Sequence, residues 1–117
     1  MLIVRDMAKR LTKALRGKRR WFGIKVGSQY TTRKQLSDQL NSLASDLKLS
    51  KQIRLMDFQL SSEGEFSLAI IEVKLLDYDL LREKIDNDES IDTFGVQSIT
   101  ASGKIRLVRD RLNLTKQ

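Results

Sequence analysis

Apolar residues recur along this chain with two periods, and the switches between them outline its elements. In residues 2–16, Val4, Met7, Ala8, Leu11 and Leu15 fall at helical spacing, with Arg5, Lys9, Lys13 and Arg16 opposite and Gly17 following as a stop. The pattern predicts a basic amphipathic helix. Over residues 20–26 the period drops to two: Phe22, Ile24 and Val26 point one way and Trp21, Gly23 and Lys25 the other, as in a strand. Thr32 and Gln35 have the spacing of a capping box, and Leu36, Leu40, Leu43 and Leu47 form one stripe of a helix reaching to about residue 48.

The second half repeats these signals. IRLMDFQL (53–60) reads as a strand with an irregularity near Asp57, SSEGE (61–65) as a turn, and FSLAIIEVKL (66–75) as the returning strand of a hairpin. LDYDLLREKI (76–85) predicts a helix with Asp77 as cap and Leu80, Leu81 and Ile85 inward. TFGVQSITA (93–101) predicts a last strand, and SGKIRLVRDRL (102–112) a helix capped by Ser102 with Ile105, Val108 and Leu112 on one face. Between the terminal helices the order is β-α-β-β-α-β. We therefore expect an α+β fold, the ferredoxin-like split sandwich with a four-stranded antiparallel sheet and extra N- and C-terminal helices. A single domain is expected over 1–117, with a helix at 1–17, the core at 18–101 and a basic helix and tail at 102–117. The strand at 66–75 is apolar on both sides, Phe66, Leu68 and Ile70 on one and Ala69, Ile71, Val73 and Leu75 on the other. Its second face needs a cover, either the chain's own terminal helices or another subunit.

Composition narrows the chemistry. The chain has no Cys and no His, which removes disulfides, thiolate metal sites and the commonest general base. No apolar run exceeds the length of LAII (68–71), too short to span a bilayer, and the cations within MLIVRDMAKR do not suit a secretory signal. We expect a cytoplasmic protein. Of the net charge of +7, residues 1–34 contribute +10, residues 35–90 −6 and residues 91–117 +3. Such segregation points to a polyanion partner rather than an evenly solvated surface.

Asp77 with Asp79, and Asp86 with Asp88 and Glu89, are the carboxylate groupings that would suit Mg²⁺ or acid/base work. They read more simply as a helix start and a solvated loop. There is no phosphate-binding loop and no nucleophile elbow, so we expect no catalytic residue and no metal ligand. The stretch KRRWFGIKV (18–26) is the stronger signal. Lys18, Arg19 and Arg20 lead into Trp21, and Lys25 shares its face; cations neutralise phosphates, and a flat ring stacks on an unpaired base. The competing reading has Trp21 anchoring the N-terminal helix onto the sheet. Arg33 and Lys34 open the next helix, and Ser102, Gly103 and Lys104 begin the last, a junction that can bind an anion although a capping Ser and a turn Gly serve the backbone in any case. The strand EFSLAIIEVKL offers Phe66 alone where an RNA-recognition motif would display several aromatics, so contact is expected to run through phosphates and shape.

Three stretches, KRRWFGIKV (18–26), SSEGEFSLAIIEVKLLDYDLLREKI (61–85) and VQSITASGKIRLVRDRL (96–112), together resemble the archaeal and eukaryotic ribonuclease P protein component 2 family. The likeness spans residues 18–112 and departs from the family's pattern at Glu72 and Lys104. It implies a protein that does not itself cut RNA. The RNA subunit, with its Mg²⁺, would cleave precursor tRNA. This chain would bind that RNA beside ribonuclease P protein component 3, a homodimer within a heterotetramer being one assembly the resemblance allows. Phosphate contacts are then expected at Lys18, Arg19, Arg20, Lys25, Arg33, Lys104, Arg106 and Arg109, with Trp21 and Lys34 beside them, and a subunit interface at Phe66, Leu68 and Ile70. Two other readings stay open: a general RNA-binding or ribosome-associated protein, and a ferredoxin-like small-molecule regulatory module binding at turns near Gly23 and Gly27.

Overall fold

In the computed structural model, residues 18–60 and 66–112 are described. The predicted helix at 2–16 and the turn at 61–65 lie outside them. The alternation at the start of this span becomes β1, Arg19–Val26. It lies between β3, Ser67–Lys74, and β4, Val96–Ser102, with β2, Arg54–Gln59, beyond β3. The sheet order is β2-β3-β1-β4, and every neighbouring pair runs antiparallel. Among the described residues four helices accompany it: α1, Arg33–Asp46; α2, Leu75–Ile85; α3, Ser90–Phe94; and α4, Ile105–Arg111. The fold is α+β with an open four-stranded antiparallel sheet.

Two-residue periodicity decides which side of the sheet carries the main core. Phe22, Ile24 and Val26 are fully buried, and across the register Phe22 faces Ile71 and Ile24 faces Ala69. Leu36, Leu40 and Leu43 of α1 and Leu81 and Ile85 of α2 pack into the same cluster, each about 1.5–3 kcal/mol of burial. The capping box at α1 forms as expected: Thr32 accepts from the Gln35 amide at 3.1 Å while the Gln35 side chain accepts from the Thr32 amide at 3.2 Å.

The opposite face carries a smaller cluster. Ile70, Val108 and Leu112 are buried there, with Trp21, Met56, Leu68 and Ile105 around them. The cover is therefore α4, one of the two covers that the sequence left open. Gly23 makes the close approach feasible: a Cβ at that position would stand 2.9 Å from Leu112 Cδ1. The irregularity expected near Asp57 is a register shift between Leu55 and Asp57, and Asp57 itself is buried beneath α4. Arginines close both sheet edges. Arg33 Nη2 donates to the β2 carbonyls of Leu55 (3.2 Å) and Met56 (3.5 Å), and Arg111 Nη1 donates to Thr100 Oγ1 (2.9 Å) and the Ala101 carbonyl (3.1 Å) on β4. Such capping blocks further strand pairing.

Four local expectations need correction. Asp77 does not cap α2; Lys74 is the N-cap, without a side-chain bond, and the buried Asp77 turns outward from the helix to the segment before β2. Leu80 is 39% exposed, since the inward stripe of α2 runs through Asp77, Leu81 and Ile85 instead. Thr93 and Phe94 belong to α3 rather than to the last strand, because one helical turn forms first and Gly95, at φ 81°, ends it in the left-handed region. Finally, the last helix starts at Ile105 with Lys104 as N-cap, and Ser102 remains in β4.

Candidate nucleic-acid interface

Beside β2, the ends of several elements meet around an open groove of about 880 Å³. Arg33 and Lys34 enter it from the first turn of α1, Lys51 from the segment leading into β2, Arg54 from the start of that strand, and Lys74 and Arg19 from the paired ends of β3 and β1. The six cations share the lining with two carboxylates, Asp38 and Glu72, a net charge of +4. Each is fixed by local structure. The capping box sets the first turn of α1. Asp77 buckles the Lys51 segment onto α2 by accepting from the Ser50 amide (2.9 Å), the Ser50 hydroxyl (2.9 Å) and the Lys51 amide (3.4 Å). Arg54 sits opposite Glu72 in the β2–β3 register.

Of the two acids, exposed Asp38 makes no ion pair among the described residues, and Glu72 is already held within the fold. Glu72, with a side chain 12% exposed, holds Arg19 through a 3.1 Å ion pair and accepts the Trp21 indole N–H at 3.1 Å. Arg19 is thereby engaged within the fold. Lys34, Lys51, Arg54 and Lys74 make no ion pair among the described residues. Cations left without acidic partners at one groove raise the local concentration of anions.

The other predicted residues divide. Arg20 lies against Gly103, where a Cβ would stand 2.6 Å from its Nη1, so Arg20 and Lys104 are neighbours. Lys18, Lys104 and Arg106 are exposed. Ser102 Oγ accepts the Lys104 amide at 3.2 Å, a turn contact made by the chain itself. Lys25 stands six residues along β1 from Arg19, about 20 Å at the rise of a strand, with its Nζ 4.7 Å from the centre of the Phe66 ring. Arg109 is committed elsewhere: Nε meets Asp57 Oδ2 at 2.7 Å and Nη2 meets Oδ1 at 3.1 Å. This two-pronged bond raises the arginine's pKa above its already high ordinary value.

The residues expected at a subunit interface also separate. Ile70 is fully buried by α4 and presents nothing to another chain. Leu68 is half-buried at the margin of that cluster, while Phe66 is 48% exposed. Trp21 is half-buried against the same cluster, and its indole N–H donates to Glu72. Lys51, Arg54 and Lys74 escaped the sequence reading because they lie in the acidic middle of the chain, where counting by segment conceals them.

Among the described residues no three acids, His or Cys are grouped as a metal site, and no helix is long and apolar enough to cross a membrane. Asp86 pairs with Arg82 at 3.6 Å and Asp88 accepts from Gln97 at 3.1 Å. Compared with protein-family models, curated proteins and solved structures, the chain matches none.

Proposed function

We propose that this chain is a non-catalytic RNA-binding subunit of ribonuclease P, acting in the cytoplasm beside ribonuclease P protein component 3, on a ferredoxin-like split β-α-β-β-α-β sandwich. The sheet order, read as β4-β1-β3-β2, and the packing of α1 and α2 into one cluster support that architecture. The observation that carries the function is the groove at the β2 edge: Arg33 and Lys34, expected as phosphate contacts, meet Lys51, Arg54 and Lys74 there. Phosphates of folded RNA repel one another, and a protein that neutralises several of them lets the strands approach with fewer counterions. In this reading the chain holds the catalytic RNA in its working shape and lowers its demand for Mg²⁺, which acts at the RNA subunit.

The regulatory-module alternative loses support at Gly23, whose open side is filled by Leu112 and is closed to a ligand. Reconstitution of precursor-tRNA cleavage from the RNA subunit and component 3, with and without this chain, tests the proposal. Adding the chain is expected to lower the Mg²⁺ concentration needed for half-maximal cleavage. Identical Mg²⁺ curves would contradict it, and recovery of ribosomal RNA in its place from a cell extract would favour the ribosome-associated reading.

A further inference from the structure

The geometry points to the backbone of double-helical RNA as the ligand of the β2-edge groove, with Lys51, Arg54 and Lys74 as phosphate contacts. This inference rests on the RNA-binding reading and deepens it. Three features of the lining select the ligand. No aromatic side chain lines the groove, so it lacks the stacking surfaces by which single strands are held. Of its apolar members, Ile53 and Val73 are each 3% exposed and Leu55 is partly buried against the main core, so it has no large apolar anchor of the kind that dominates protein–protein contacts. Beside its cations it offers short polar groups, Ser37 and Asn41 from α1 and Gln52 from the facing segment, together with the carboxylates of Asp38 and Glu72. Cations for phosphates with hydroxyl and amide groups beside them suit a double helix whose ribose 2′-hydroxyls line a shallow groove, the surface by which duplex RNA differs from duplex DNA.

Arg33 supports the same assignment. Its guanidinium is held on the Leu55 and Met56 carbonyls, so its charge keeps a fixed position at the groove wall without a carboxylate to neutralise it. The cationic row is thus partly organised before any ligand arrives, which reduces the ordering cost of binding.

The test is fluorescence anisotropy of the full chain with a labelled RNA duplex, the DNA duplex of the same sequence and an unpaired RNA strand, across a salt series. The variant Lys51→Ala/Arg54→Ala/Lys74→Ala is expected to bind duplex RNA about 100-fold more weakly. Its plot of log affinity against log salt should be shallower by about 2.7, from about 0.9 per phosphate contact. Each single replacement should remove about 0.9. Circular dichroism should show unchanged folding, and Lys104→Ala/Arg106→Ala should have the smaller effect. A triple variant that binds duplex RNA as the unchanged chain does would overturn the groove while leaving the RNA-binding reading intact. Equal affinity for the unpaired strand or the DNA duplex would overturn the assignment to double-helical RNA. A wild-type chain that binds none of the three would remove both readings together.

Discussion

Positive charge does different work at the β2-edge groove and on the sheet face under α4. Around α4 the arginines are consumed by the fold: Arg109 grips the buried Asp57 with two bonds, and Arg111 closes the β4 edge. At the groove, Lys34, Lys51, Arg54 and Lys74 have no ion pair among the described residues, while Arg19 is tied to Glu72 and Arg33 to backbone carbonyls. Residue type alone does not separate the two populations, since Arg54 has no ion pair at the groove while Arg109 and Arg111 are bound around α4. What separates them is whether topology brings an acceptor, a carboxylate, hydroxyl or backbone carbonyl, within reach. Charges that the fold satisfies stabilise it, and charges that it leaves over are available to a partner.

Substitutions that should affect one region and spare the other test this division. The largest expected effect is the hundredfold loss of duplex RNA affinity on clearing the groove, with thermal stability unchanged. Arg109→Ala should do the reverse. It strands the Asp57 carboxylate, 7% exposed, against the sheet, and should cost about 2 kcal/mol in denaturant unfolding while leaving the salt slope of RNA binding intact. If instead Arg109→Ala weakened RNA binding and left stability alone, Arg109 would be a phosphate contact and the division would fail. The smallest effect sharpens the boundary. Thr32→Ala removes the side-chain half of the capping box and should cost about 1 kcal/mol, with only a slight loss of RNA affinity as Arg33 and Lys34 loosen in the first turn of α1.

The sequence was most legible where one local rule sufficed. Alternation set the faces of β1, the leucine stripe and Thr32–Gln35 defined α1, and the double-sided apolar strand called for a second cover, supplied here by α4. It was least legible where the outcome depended on distant partners. Asp77 had every local sign of a helix cap, yet Ser50 and Lys51 offered three donors from across the fold. The five-residue α3 is too short to show a period, and only Gly95 marks its end. The site followed the same rule. Arg33 and Lys34 were recognisable at a helix start, but Lys51, Arg54 and Lys74 join them through pairing of strands remote in sequence, from a segment whose net charge is negative.

The central claim is that the unpaired groove cations face phosphates, and the salt dependence of binding tests it most directly. With the full chain and duplex RNA between about 0.05 and 0.2 M monovalent salt, log affinity should fall linearly against log salt, with a slope of about −3.6 or steeper for four or more contacts. An affinity that stays level across that range would contradict the account.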